Sequence, residues 1–154
     1  MSEDFSELIN EAPEGWLQAM GVTITAASKD EVRAELTVGP QHLQSDGIVH
    51  GGVHGGVIES LALIGAALFA VPRGQSVVVI ENSTSFVRAV RTGAKLRAVA
   101  TPLTRGRRTQ VWVAQVLDEE DRLVASGRVR LLCLEQDTTL VGEEVKGPLH
   151  PPAR

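Results

Sequence analysis

The chain has 154 residues, 43% hydrophobic and 22% charged, with a formal net charge of −4. That length suits one domain able to bury a core without staples, and the charge gives no general electrostatic case for nucleic acid or an anionic membrane surface. The single cysteine, Cys133, excludes an intrachain disulfide and a four-cysteine metal site.

Residues 2–7 carry three acids, Glu3, Asp4 and Glu7, the wrong sign for a secretory or transit peptide, so a cytoplasmic protein is expected. Residues 1–21 read as an interrupted helical segment. Pro13 suits the first turn of a short helix ending at Gly21, with Trp16 and Met20 sharing its buried face. From Val22 the pattern alternates. Val22, Ile24 and Ala26 share a face, as do Val32, Ala34, Leu36 and Val38, with Lys29 and Asp30 at a hairpin turn between them.

A connection over 39–52 leads into a helix predicted over 53–70 and stopped by Val71, Pro72, Arg73 and Gly74. Val57, Leu61, Ile64 and Leu68 form its bulky stripe. Gly52, Gly56, Leu63, Ala66, Ala67 and Ala70 supply a mostly small side close to Glu59. A helix apolar nearly all round is a buried one, wrapped by a sheet or shared with a second subunit. Its longest apolar run, 61–72, falls short of the roughly 20 residues that cross a bilayer. Four β-like runs follow, over 76–90, 94–104, 109–117 and 122–134, and their separators suit an antiparallel meander with short hairpin loops. Beyond Glu135 the chain turns polar and Pro-rich, and 135–154 is expected to be a flexible tail to a single domain over 22–134. The predicted class is α+β, a long antiparallel sheet curled around one hydrophobic helix.

Glu59 is the chemical anomaly of that helix. It stands at the edge of the apolar stretch 61–67, where a carboxylate is costly unless it is paired, hydrogen-bonded or used. A catalytic carboxylate is the leading hypothesis and a buried ion pair the competing one. His50, Gly51 and Gly52 should open the helix. There Gly51 can offer an unhindered backbone N–H, reinforced by the positive end of the helix dipole. His50, at the loop-to-helix corner, is expected to hydrogen-bond the backbone and fix the turn. His54 repeats the His-Gly-Gly pattern but lies only five residues before Glu59. A metal site on His50, His54 and Glu59 is set aside, because His54 and Glu59 share no clean face and no further ligand follows at suitable spacing. Arg105, Arg107 and Arg108, with Arg88 before them, stand out in an acidic chain, as a solvated turn or as forked donors for phosphate.

The spacing from Gln44 to His50-Gly51-Gly52, six residues on, and to Glu59, nine after the histidine, resembles the active-site segment of the hotdog-fold acyl-CoA thioesterases. The branch it most resembles contains the phenylacetate-pathway thioesterases, glutamate-type 4-hydroxybenzoyl-CoA thioesterase and the 1,4-dihydroxy-2-naphthoyl-CoA thioesterases. The resemblance extends over roughly 22–134, through the stretch from Asn82 to Arg88, the Trp112 strand and the last strand.

The resemblance implies hydrolysis of an aryl or medium-length acyl-CoA. Glu59 is then nucleophile or general base, the Gly51 N–H polarises the carbonyl, Gln44 sits beside the thioester and His50 is the motif histidine. Gly52, Ser60, Leu63 and Asn82 belong to the substrate site. Arg88, with Arg107 and Arg108 as weaker candidates, meets the phosphates of coenzyme A, which is part of the substrate and not a separate cofactor. Dimers or dimers of dimers, a homotetramer in the latter case, are implied, with no nucleic-acid or membrane partner. One departure stands out. Leu63 and Val79 occupy the positions where relatives carry a helper threonine or serine, so water would be positioned by Gln44, Ser60 or Asn82. Two other readings are a hotdog hydratase or dehydratase, whose Asn-Pro-x-His run is absent here, and a non-catalytic module binding coenzyme A or an acyl carrier protein, against which Glu59 argues.

Overall fold

Alternation, glycine stops and one long apolar stretch dictate the elements in order. The computed structural model describes residues 2–13 and 15–135 in full, with the backbone of Thr139–Leu140 and Glu143–Glu144. Helices α1 (Ser6–Glu11) and α2 (Gly15–Met20) precede strands β1 (Thr23–Ala27) and β2 (Val32–Thr37). The central helix α3 (Gly51–Ala70) is followed by β3 (Gln75–Phe86), β4 (Lys95–Arg105), β5 (Thr109–Leu117) and β6 (Leu123–Glu135). Thr139–Leu140 and Glu143–Glu144 form a separate two-stranded pair, β7 and β8. The rest of the tail expected over 135–154 lies outside the described residues.

Six antiparallel strands make one sheet in the order β1-β2-β4-β5-β6-β3, and α3 packs against it. The four strands after α3 do not form the expected sequential meander. Only β4, β5 and β6 follow one another, while β3 pairs with β6 at the far edge and β4 pairs with β2. The physical reason is that β3 stops early. Its ladder ends at Phe86 opposite Ala125, two residues from the start of β6, and Val87 and Arg88 share one carbonyl, Val124 O. The chain is then free to cross the start of α3, held by Val49 N donating to Val90 O at 2.9 Å and Gly93 N to Val38 O at 2.8 Å.

Two bulges redirect side chains that simple alternation misplaces. In β1 a register shift between Ile24 and Ala26 moves the inward position from Ala26 to Ala27, which is buried. This outer strand is protected by the N-terminal segment. Asn10 exchanges both side-chain hydrogen bonds with the Ile24 backbone at 2.7 and 3.0 Å, and Asp4 Oδ1 accepts from Ala27 N at 2.9 Å. In β3 the shift lies between Val79 and Glu81. One extra residue, Ile80, flips the phase, so inward positions pass from Val77 and Val79 to Asn82, Thr84 and Phe86.

The core is α3 against the concave sheet: Ile58, Leu61, Ala62, Ala66 and Ala67 have no exposed surface, nor does Trp112 on β5. With the turn after it, α3 is long and apolar enough to span a bilayer by length and composition alone, a longer element than the run 61–72 suggested. What it packs against is the sheet. Close approach depends on its glycines. A Cβ on Gly65 would collide with the Trp112 ring, and one on Gly56 with the Trp16 ring. Trp112 cannot retreat, because its Nε1 donates to Gln110 Oε1 at 3.0 Å inside the core. At α3's start His54 is also buried, and burial holds its imidazole below the ordinary value of 6.5.

Two stability outcomes follow from this packing. Gly65→Ala gains about 1 kcal/mol of helix propensity but overpacks the core by about 1–3 kcal/mol, so urea unfolding should show net destabilisation. Gly15→Ala, with nothing within 4 Å, should leave stability unchanged or slightly higher. For His54 the unfolded chain takes up its proton at higher pH than the folded one. Its contribution is therefore complete above the ordinary histidine value of 6.5 and is lost as pH falls below it. Tm should drop from pH 7.5 to pH 5, and His54→Leu should flatten that drop; an unchanged slope would contradict the assignment.

Candidate active site

The site is assembled from the first half of α3, the loop before it and the second half of β3. His50 is the N-cap, with extended backbone at φ −62° and ψ 132°, and its Nδ1 accepts from Gly52 N at 2.8 Å. Val53 N donates to His50 O at 2.9 Å. The Gly51 N–H has no hydrogen-bond partner among the described residues. The first turn thus presents one free donor at the positive end of a 20-residue helix. The Phe86 ring lies over Gly51, where a Cβ would meet Cζ at 2.9 Å, so any larger residue there displaces that largely exposed ring. His50 is exposed and occupied as a cap acceptor, which is the structural role the loop-to-helix corner suggested.

Two turns further along, Glu59 is half-buried. Its Oε2 accepts from Asn82 Nδ2 at 3.2 Å, and the same Nδ2 donates to Gly55 O at 2.9 Å. Thr84 Oγ1 donates to Asn82 Oδ1 at 2.7 Å. No cation lies within ion-pair distance of Glu59 among the described residues. Within this chain the carboxylate is therefore held by an amide, in contrast to an ion pair. Ser60, Leu63 and Ile64 share its half-exposed side of α3, while Val79 is half-buried on β3.

Other candidates are placed apart. Gln44 caps a tight turn, its N donating to Ile48 O at 2.8 Å and Gly47 N donating to Gln44 O at 3.0 Å, with Gly47 left-handed at φ 74°. The Gln44 amide donates to Asp46 Oδ2 at 3.3 Å. Arg88 was expected on a strand; it lies two residues past the end of β3, exposed, near the start of α3. Arg107 and Arg108 sit in the β4–β5 turn at the opposite end, where Gln75 Nε2 donates to Arg107 O at 2.9 Å and Cys133 N to Arg108 O at 2.7 Å. Arg105 is committed elsewhere, to Asp30 at 3.1 Å and over the Phe69 ring at 4.6 Å. The chain therefore does not bring Arg88 together with Arg107 and Arg108.

Sequence reasoning missed Thr84, Phe86 and His42. His42 is buried, accepts from Gly39 N at 2.8 Å and bonds Met20 O at 2.7 Å, which ties the loop before α3 to the end of α2. Thr84 and Phe86 are legible only once the bulge at Ile80 is known.

Comparison with known proteins identifies the family and the fold. A family model described as the thioesterase superfamily matches residues 46–125. A Mycobacterium tuberculosis protein provisionally named an esterase is 43% identical over 118 residues, covering 75% of this chain and 84% of that protein. The 1,4-dihydroxy-2-naphthoyl-CoA hydrolase of Escherichia coli is 34% identical, over 65% of this chain and 72% of its own length. A crystal structure of a Haemophilus influenzae thioesterase superposes with a TM-score of 0.79 at 27% identity, covering 90% of this chain and 95% of that one. The sheet wrapped on one long helix is the hotdog fold, and the chain belongs to the thioesterase superfamily.

Proposed function

We propose that this protein hydrolyses an aryl or medium-length acyl-CoA to free acid and coenzyme A, with Glu59 as nucleophile or general base and the Gly51 N–H polarising the carbonyl. The observation that carries this is a half-buried carboxylate held by an amide donor and no cation, on the same helix as a free N-terminal N–H. Attack on a thioester moves charge onto the carbonyl oxygen, where a donor at about 3 Å is worth most. Glu59 supplies either the attacking oxygen, giving a mixed anhydride, or the base that takes a proton from water. The E. coli relative named as a naphthoyl-CoA hydrolase supports an aryl-CoA substrate.

Geometry also speaks for two chains at each site. Gly51 and Glu59 are eight residues apart on α3, about 12 Å along its axis. A reacting carbonyl needs its carbon about 3–3.5 Å from the attacking oxygen and its own oxygen about 3 Å from the donor. One thioester is better served by the carboxylate of one chain and the N–H of another, in a dimer or a homotetramer built of dimers. Arg88 meets the phosphates from one chain. Arg107 and Arg108 lie near the other end of α3, about 30 Å from its start, and reach the same molecule from the second chain. With Asn82 occupied by Gly55 and Glu59, Gln44 and Ser60 remain to orient water.

Glu59→Gln should lower kcat by about 10²-fold or more while leaving acyl-CoA binding nearly intact. A panel of acyl-CoA esters with free-thiol detection measures the first, and calorimetric titration the second. Turnover within a few-fold of wild type would remove Glu59 from the chemistry.

A further inference from the structure

Asn82 and Thr84 stand two apart on β3, after the bulge that turns both toward α3. A carboxamide has two N–H donors on nitrogen and a carbonyl acceptor. In Asn82 both sides are engaged. Nδ2 faces Gly55 O at 2.9 Å and Glu59 Oε2 at 3.2 Å, and Oδ1 accepts from Thr84 Oγ1 at 2.7 Å. Rotating the amide by half a turn would set its oxygen against two other oxygens, so Gly55 O and Glu59 Oε2 fix which way it points, and the Thr84 hydroxyl anchors its other end. The seat of Thr84 is itself built. Thr84 pairs across the ladder with Gly127, where a Cβ would meet Thr84 Oγ1 at 2.7 Å and Ile58 Cγ2 at 2.8 Å. Glycine on β6 thus makes room for the hydroxyl beneath a fully buried residue of α3.

We propose that Thr84 and Asn82 form a positioning relay, in which the Thr84 hydroxyl aims the Asn82 amide and that amide holds one oxygen of Glu59 so that the other is presented to the thioester or to water. This rests on the thioesterase reading of Glu59. A glutamate has three side-chain torsions, and a carboxylate tethered at one oxygen samples fewer of their combinations. Neither relay residue touches substrate in this assignment. Asn82, expected among the substrate contacts, acts instead through Glu59. The relay takes the place of no missing helper hydroxyl, since it faces the carboxylate and leaves the water to Gln44 or Ser60.

The test separates hydroxyl from shape. Thr84→Val keeps the volume and loses the donor, whereas Thr84→Ser keeps the donor. With any acyl-CoA that the wild type turns over, Thr84→Val should lower kcat several-fold at unchanged KM, and Thr84→Ser should stay near wild type. Asn82→Ala should lower kcat by about ten-fold or more. In a Glu59→Gln background, Asn82→Ala should add little to the loss, because the relay has no carboxylate left to aim. Wild-type kcat in both Thr84→Val and Asn82→Ala, with Glu59→Gln inactive, would overturn the relay alone. An equal loss for Thr84→Val and Thr84→Ser, or full additivity of Asn82→Ala with Glu59→Gln, would also overturn it. An active Glu59→Gln would instead overturn the thioesterase reading beneath it.

Discussion

The organisation of this molecule depends on enclosing one helix that water would not tolerate. From Gly51 to Ala70, α3 contains one carboxylate and no lysine or arginine, and most of its surface must find apolar partners. The curved sheet supplies most of them and α2 supplies one more. Both come to close range because Gly65 lets the Trp112 ring of β5, and Gly56 the Trp16 ring of α2, lie against the helix backbone. Burial on this scale stabilises by about 25 cal/mol per Å² of apolar surface removed from water. It leaves the lone carboxylate to be satisfied by whatever the sheet presents.

What the sheet presents is set by one inserted residue. If β3 ran on from Val79 in strict alternation, Glu81 would take the place of Asn82 opposite Val129, setting a second carboxylate toward Glu59, and Asn82 and Thr84 would point away from α3. The bulge therefore converts a strand that packs apolar Val77 into one that delivers an amide and a hydroxyl to the middle of the helix. It also brings Phe86 over Gly51, at the end where the free N–H lies. Packing, polar satisfaction and the proposed chemistry meet in the same few residues of β3.

Much of this was legible in the sequence, for physical reasons that can be named. The apolar periodicity of 53–70 and the alternation of 109–117 survive folding almost unchanged, because burial imposes them directly. The Gln44, His50-Gly51-Gly52 and Glu59 spacing was legible as well, and the structure adds that His50 caps the helix. Strand order was not legible. The stretch Arg91, Thr92 and Gly93 looks like a hairpin turn, yet it belongs to a crossover, and nothing local distinguishes the two. Bulges escape for a related reason: an extra residue changes every later side-chain direction without altering composition. That single blind spot concealed Thr84. The separation of Arg88 from Arg107 and Arg108 follows from the strand order and was concealed with it.

The axial gap between Gly51 and Glu59, with β3 at an open sheet edge exposing Ile80 and Phe86, makes a site shared between two copies the central claim. Subunit complementation tests it most directly. Glu59→Gln removes the carboxylate. Gly51→Pro removes the donor N–H at a first-turn position whose backbone suits proline, after a residue already in the extended region, and it displaces the exposed Phe86 ring; Gly51→Ala, which displaces the ring but keeps the N–H, is the control. Glu59→Gln and Gly51→Pro alone should each be inactive. Unfolded together in equal amounts and refolded, they should recover about a quarter of wild-type activity, since half of random dimers are mixed and one of the two sites in each is intact. A mixture as inactive as its parents would show that one chain supplies both groups and would contradict the account.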